Sequence, residues 1–358
     1  MKLLNVNLEN QSYPIFIGKG LINEIGEKIK AFHSGEKLAI VTDKNLFSIY
    51  GEEFKGILEK AGFKPSFIVL EPGEKSKSIE VLQEVYNKLL DFKITRSDLI
   101  IAFGGGVVGD LCGFAASTFL RGIPFVQVPT SLLAQIDSSI GGKVAVNLER
   151  GKNLVGSFYH PKMVIIDTAL LKTLEKRFLW DGMAEVIKYG CISSKELFSR
   201  LMDFKDENEL LQNIDEIVYC CCSIKRDVVE VDEKDTGLRM ILNFGHTIGH
   251  SIEKYFDYEK YTHGEAVAMG MYILTKNSEK LGHTEIGTAE KIKNILIKYN
   301  LQYELSGVDN ESLIEATGLD KKNMGEKLNL IFIKNIGNAF INSVDKTQVK
   351  NYMKLREW

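Results

Sequence analysis

The sequence predicts an α/β chain of two domains, a doubly wound domain over residues 1–174 and an α-helical domain over residues 175–358. At 358 residues it exceeds what one hydrophobic core usually organises. In the first half, runs that are almost wholly apolar alternate with amphipathic stretches, the pattern of parallel strands covered on both faces by helices. Beyond about residue 175, helix-period segments follow one another with few strand-like runs between them.

The apolar runs are 38–42, 67–70 and 99–103, with 125–129 and 163–167 extending the sheet. Residues 79–90 carry apolar positions at helical spacing, and residues 1–8 alternate as a strand does. In the second half, residues 216–232, 240–255 and 265–281 read as helices and 328–333 as a short late strand.

Composition removes several classes of function. Lys and Arg total 45 against 48 Asp and Glu, so no basic footprint for nucleic acid or an anionic membrane exists. No run is apolar enough to span a bilayer, and the N-terminus lacks the pattern of a signal peptide. Five cysteines, three of them consecutive at Cys220, Cys221 and Cys222, show neither disulfide pairing nor a metal knuckle, which predicts buried thiols in a cytoplasmic protein.

Gly104-Gly105-Gly106-Val107-Val108-Gly109-Asp110 leaves a buried strand and enters a helix rich in small residues. Absent β-carbons let a phosphate approach the backbone, and a helix N-terminus offers it unpaired N–H groups. A second turn, Pro72-Gly73-Glu74-Lys75-Ser76-Lys77, places a carboxylate and cations after another strand. Asp43 ends the first buried strand, where it can accept from a ligand hydroxyl or cap the helix that follows.

Of six histidines, His246, His250 and His263 fall within eighteen positions. His246 and His250 are four apart and share a helix face, and Glu185 in an earlier helix can add a carboxylate oxygen. Two imidazoles, one carboxylate and an open position make a catalytic metal site. Spacing leaves open which histidine is not a ligand. Arg121, Lys143, Lys152, Lys188, Lys225 and Arg239 are the cations available to a polyanionic substrate, with Lys143 and with Lys152-Asn153 read as glycine-flanked loop residues. Lys188 follows Glu185 by three and shares its helix face.

Taken in order, Gly104 to Asp110, Arg121 to Leu133, Asp137 to Lys143, Gly151 to Gly156, Met183 to Gly190, Gly237 to His250 and His263 to Val267 resemble the 3-dehydroquinate synthase family of sugar phosphate cyclases. The resemblance implies a Rossmann-like N-terminal domain, a C-terminal helical domain and a site served by both. It implies Glu185, His246 and His263 as ligands of one divalent metal, zinc or cobalt, with His250 left to hydrogen-bond substrate or relay a proton.

It further implies that NAD is surrounded by Asp43, by Pro72, Gly73, Glu74, Lys75, Ser76 and Lys77, by Gly106, Val107, Val108, Gly109 and Asp110, and by Thr130, Ser131, Asp137, Lys152, Leu170, Leu171, Lys172 and Thr173. Lys143 is expected near both nicotinamide and substrate. Lys188, Lys225, Arg239, Asn243, His250 and Asn153 are expected to hold the substrate, Arg121 to come from the second subunit of a homodimer, and Lys321 or Lys322 to cover a phosphate.

The implied substrate is 3-deoxy-D-arabino-heptulosonate 7-phosphate, converted to 3-dehydroquinate and phosphate in the shikimate pathway. Transient oxidation by NAD, phosphate elimination, re-reduction and aldol closure make the reaction redox-neutral, a lyase reaction overall. Ser131, where the family usually has threonine, and His160 are mild departures. The competing readings are a cyclase for another sugar phosphate, an iron-type NAD-dependent alcohol or glycerol dehydrogenase, and a binding protein that kept the fold.

Overall fold

The computed structural model describes residues 1–9, 11–316 and 327–355, so Lys321 and Lys322 lie outside the described residues. The chain divides into two compact units. The first comprises Met1–Leu174 together with Ile214–Lys234, and the second comprises Glu175–Asn213 and Asp235–Trp358.

Seven strands build the main sheet of the first unit: β1 (Lys2–Val6), β2 (Tyr13–Gly18), β3 (Lys37–Asp43), β4 (Lys64–Leu70), β5 (Leu99–Gly104), β6 (Phe125–Pro129) and, after a hairpin of β7 (Lys143–Leu148) and β8 (Gly151–Phe158), β9 (Met163–Asp167). Their order is β1-β2-β9-β6-β5-β3-β4, with only the β1–β2 pair antiparallel. The all-apolar runs have a direct cause. In β3, Ala39 and Val41 join one core with Leu82 and Val85 of the helix Ile79–Asp91, while Leu38 and Ile40 join the other with Phe54 of the helix Lys44–Lys60. With helices on both faces, neither side of the strand meets water.

The first unit also takes back a helix that the sequence assigned to the second domain. Ile214–Val231 packs in unit 1, where Cys222 Sγ lies 3.4 Å from the carbonyl oxygen of Gln135. Its buried Ile217, Val218, Cys221 and Cys222 require an apolar partner, and helical periodicity does not say which unit supplies one.

The second unit centres on the helices Lys176–Ser193, His246–Tyr255 and His263–Lys280. It is not wholly helical, because β10 (Lys327–Asn335) pairs antiparallel with β11 (Asn338–Asp345), a partner the sequence did not suggest. The continuous helix expected over 240–255 is interrupted. A 3₁₀ turn covers Leu238–Asn243, Gly245 adopts φ +81°, and the helix restarts at His246. Lys143 and the Lys152-Asn153 pair stand in strands rather than loops, since β7 and β8 pair through Val144↔Ser157 and Val146↔Val155.

Candidate functional site

In the first unit the chemistry gathers at the carboxyl ends of the parallel strands. Strand order reverses beside β3, with β4 on one side and β5 on the other, so Asp43 and Gly104 end the two strands that flank the switch point. Asp43 caps the helix Lys44–Lys60, its Oδ1 accepting from the Leu46 N–H at 3.0 Å. From Gly104 the chain turns directly into the helix Gly106–Thr118, whose N-cap, Gly105, provides no side-chain acceptor. The amides of that first turn therefore lack a side-chain cap, the setting in which a helix N-terminus accepts an anion.

The turn is compact. A β-carbon on Gly104 would meet Val108 at 2.6 Å, and one on Gly106 would meet Ser138 Oγ at 3.2 Å. The Thr130 N–H donates to the Gly104 carbonyl at 3.1 Å, and Ser131 Oγ accepts from the Ala134 N–H at 3.3 Å, so Thr130 and Ser131 stand beside the glycines.

The second glycine turn is joined to this one through Lys77. Its buried ammonium donates to Asp110 Oδ2 and Asn153 Oδ1, both at 2.5 Å, while Asn147 donates to Glu74 Oε1 at 2.7 Å. Burial raises the Asp110 carboxyl pKa, and the charge of Lys77 opposes that rise. Pro72, Gly73, Glu74 and Lys75 are exposed, whereas Ser76 is buried with its hydroxyl donating to the Glu71 carbonyl. Gly109 and Val108 are buried, and Val107 is half-buried.

After β9, the Leu170 and Leu171 side chains point into the core, Lys172 is exposed, and Thr173 Oγ1 lies 3.0 Å from the Tyr50 hydroxyl. Lys225 is 5 % exposed and donates to both the backbone oxygen and Oδ1 of Asp137, at 2.6 and 2.8 Å. Lys143 and Arg121 are exposed and Lys152 half-buried; Arg121 follows the helix Gly106–Thr118 in a tight segment, with φ +67°.

The second unit holds the histidine cluster. Glu185 is fully buried, and neither of its oxygens accepts a hydrogen bond, although the Lys188 ammonium forms an ion pair with it. His246 Nε2 lies 3.5 Å and His263 Nε2 3.7 Å from Glu185 Oε1. Each ring is held through its other nitrogen, His246 Nδ1 against the Phe244 carbonyl at 3.2 Å and His263 Nδ1 against Glu253 Oε2 at 3.3 Å. Among the described residues these three side chains offer ligand atoms within 4.8 Å of one another, as do His250, Glu253 and His263.

Electrostatics separates the two rings. Burial and then the charge of Lys188 hold His246 well below its ordinary pKa, leaving it neutral and able to donate a lone pair. Burial acts on His263 the same way but is outweighed by Glu253, Glu185 and Asp181, which raise it to about 9. His250 is exposed, with its ring centroid 5.4 Å from that of His246.

A pocket of about 200 Å³ opens here, lined by Met240, Asn243, His246, Thr247, His250, Asn329 and Ile331. A larger groove of about 450 Å³, lined in the first unit by Phe16 and residues of the segment 23–31, carries no comparable set of groups. Arg239 is 2 % exposed, whereas Asn243 is exposed at the pocket wall.

Several contributors escaped the sequence reading. Glu253 lies seven positions after His246 on one helix, a spacing that returns to the same face and was available as a signal. Asp181 accepts from the Gly264 N–H at 2.5 Å and thereby anchors the helix that begins at His263. Arg177 donates to both oxygens of Glu265, at 3.0 and 2.8 Å, and Glu265 Oε2 accepts from the Thr262 N–H. Met240, within the Gly237–His250 segment, and Asn329, in β10, also line the pocket.

The 3-dehydroquinate synthase N-terminal family model matches residues 67–181, and the 3-dehydroquinate synthase C-terminal model matches residues 182–323. A 3-dehydroquinate synthase from Clostridium acetobutylicum is 56% identical over 355 residues, which span 99% of this chain and 100% of that protein. Among solved structures, a 2-deoxy-scyllo-inosose synthase complexed with carbaglucose-6-phosphate, NAD+ and Co2+ superposes with a TM-score of 0.86 at 23% identity, covering 98% of this chain and 99% of its own. A 2-epi-5-epi-valiolone synthase from Streptomyces hygroscopicus with NAD+ and Zn2+ bound superposes at 0.86 with 24% identity, covering 97% of each chain. At such identities the two structures speak for the fold alone.

Proposed function

The chain belongs to the 3-dehydroquinate synthase family, and from that premise we infer that it converts 3-deoxy-D-arabino-heptulosonate 7-phosphate to 3-dehydroquinate and phosphate, with NAD and one divalent metal as cofactors. The observation that carries the reading is Glu185, a buried carboxylate without a hydrogen-bond donor and flanked by the Nε2 atoms of His246 and His263. Lys188 balances the charge of this buried carboxylate but leaves Oε1 facing two imidazole nitrogens, and a donor set of one oxygen and two imidazole nitrogens suits zinc or cobalt.

When bound, the metal acidifies a substrate hydroxyl and NAD accepts and then returns a hydride. The protein's own groups bind, orient and balance charge. Lys188, buried against Glu185, offsets the carboxylate's charge and offers its ammonium to a substrate oxygen. Asn243 and Arg239 bind carboxylate and hydroxyl oxygens. His250, exposed at the pocket wall, hydrogen-bonds substrate or relays a proton at its imidazole.

In the first unit, the amides of the glycine turn receive the pyrophosphate of NAD, and Asp43 accepts from a ribose hydroxyl. Glu74 and Lys77 complete that wall together with Asp110, Thr130, Ser131, Asp137 and Lys152. Residues 170–173 line it, chiefly through their backbone and the Thr173 hydroxyl. Lys143 serves the nicotinamide and substrate, and Asn153 and Lys225 serve the substrate. The protein acts as a cytoplasmic homodimer in which Arg121 is supplied across the subunits. No helix among the described residues is long and apolar enough to cross a membrane.

The test follows phosphate release and NADH absorbance together, using the heptulosonate phosphate, NAD and zinc or cobalt. Stoichiometric phosphate and dehydroquinate without net NADH is the expected result. Sustained NADH would replace the reading with a dehydrogenase, and turnover only of another sugar phosphate would replace it with a related cyclase.

A further inference from the structure

We propose that Glu253 is a positioning residue that fixes the tautomer and ring orientation of His263 and so sets how tightly the site holds its metal. The proposal rests on the reading of Glu185, His246 and His263 as the ligands. Glu253 is no part of that ligand set and meets it at the His263 imidazole.

The two nitrogens of His263 face different carboxylates. Nδ1 lies 3.3 Å from Glu253 Oε2, and Nε2 lies 3.7 Å from Glu185 Oε1. A neutral imidazole carries one N–H, and an ionised carboxylate can only accept. Glu253 is 3 % exposed, and a buried carboxylate requires a donor. In the metal-binding form, which has given up its second proton, placement of the remaining proton on Nδ1, donated to Glu253, satisfies that requirement and leaves the Nε2 lone pair on the side of Glu185. Without Glu253 the proton is free to sit on Nε2, where it blocks coordination, and the ring is free to turn about its χ2 bond.

The local fold supports the same division of labour. Glu253 and His246 stand on one helix, His246–Tyr255, and His263 opens the next. The first helix thus carries both a ligand and the group that orients the ligand of the second. His246 is treated in parallel, with its Nδ1 against the Phe244 carbonyl. Both rings therefore turn Nε2 toward the same Glu185 oxygen, each held from behind by an oxygen acceptor.

A second arrangement of ligand atoms is available, because His250, Glu253 and His263 also lie within 4.8 Å of one another. That cluster uses the exposed His250 and leaves Glu185 Oε1, which faces the Nε2 atoms of both His246 and His263, without a hydrogen bond. The cluster around Glu185 gives that oxygen a partner, so Glu253 is assigned behind the ligand rather than on the metal.

The test measures zinc dissociation constants of the full-length apoprotein by competition with a chelator, and visible absorption after cobalt loading. It compares the wild type with Glu253→Ala, Glu253→Gln, His263→Ala and His250→Ala. Outer partners of metal-bound histidines typically contribute about 10–100-fold in affinity, and Glu253→Ala is expected to weaken zinc by that factor while its cobalt spectrum keeps the wild-type ligand number. Glu253→Gln still presents an amide oxygen to Nδ1 and is expected to lose severalfold. His250→Ala is expected to leave metal affinity unchanged.

Zinc affinity within twofold of wild type in Glu253→Ala overturns the proposal. The same result in Glu253→Gln overturns it should the alanine variant not fold. Loss in Glu253→Gln as complete as in His263→Ala, with a changed cobalt coordination number, also overturns it by making Glu253 a ligand. Wild-type affinity in His263→Ala is a separate failure, since it removes the ligand assignment on which the proposal rests.

Discussion

Gly270 approaches Gly245 so closely that a β-carbon on it would stand 2.1 Å from the Gly245 carbonyl oxygen. Gly249 meets the Val267 backbone across the same seam, where its β-carbon would lie 3.1 Å away. No side chain fits between the helices His246–Tyr255 and His263–Lys280 at these points. The approach brings the His246 and His263 rings to 5.1 Å between centroids. Gly270→Ala must push the helices apart, and overpacking of this kind costs about 1–3 kcal/mol. Thermal melting should fall accordingly, and zinc titration should show weakened binding because the two Nε2 atoms separate. A variant with both properties unchanged would mean that the spacing does not set the site.

Those glycines illustrate what the sequence withheld. The strands were legible because β3, β5, β6 and β9 are buried on both faces and so consist almost entirely of apolar residues. The histidines were legible because the residue type is rare here and its spacing matched a helix face. Partnership across the chain was not: Ile214–Val231 shows a buried stripe without saying which unit it packs against, and Gly245 inside an otherwise helical pattern conceals a left-handed break. Lys143 and Lys152 looked like loop residues because glycines flank them, yet Gly156 in β8 is a cross-strand contact, where a β-carbon would strike the Val144 carbonyl at 2.3 Å. The two faces of the cluster were equally hidden, since spacing could not say that His250 is exposed while His246 turns toward Glu185.

Lys77 and Asp110 form a second test of local architecture. Their side chains are 6 % and 17 % exposed, so removing one leaves a largely buried charge. Breaking a buried pair in this way typically costs about 3–5 kcal/mol. Lys77→Met should therefore destabilise the protein by about 3 kcal/mol in urea unfolding. Adding Asp110→Asn should recover a substantial part, and the double-mutant cycle should give a coupling well above the ~0.5 kcal/mol expected of independent sites. Additive losses would show that the pair does not act as a unit.

Glu265 supplies the pH dependence. Burial raises its pKa, but hydrogen bonds from Arg177 and the Thr262 N–H outweigh burial and leave it below the ordinary value of 4.5. A depressed folded-state pKa means that the contribution is present above the unfolded value and is lost as pH falls through the folded one. Glu265→Gln keeps an acceptor for the Thr262 N–H but loses the charge paired with Arg177, so it should be less stable than wild type at neutral pH, by about 0.2–1 kcal/mol for a partly exposed ion pair. The gap should close below the ordinary carboxylate range, where wild-type Glu265 is itself protonated. Urea midpoints measured in neutral and acidic buffer check this, and a gap that stays constant into acid would assign the effect to packing rather than charge.

Glu185 gives the test of metal dependence with a readout independent of turnover. A ligand that binds only the folded state stabilises it in proportion to its excess over the dissociation constant, by about 2.7 kcal/mol at a hundredfold excess. Zinc at that excess should raise the unfolding free energy of the apoprotein by about this amount, and chelation should reverse the gain. Glu185→Gln keeps the shape of the side chain while removing its charge, so His246 and His263 remain as a two-nitrogen site without its anionic ligand. At the same zinc concentration the variant should show little or no stabilisation. It should also lose phosphate-releasing activity, while NAD binding should persist, because the residues proposed for NAD, Asp43, the glycine turn and Lys77, stand in the first unit and are untouched. Stabilisation of Glu185→Gln by zinc equal to that of wild type would place the cation elsewhere, with the set His250, Glu253 and His263 the next to substitute.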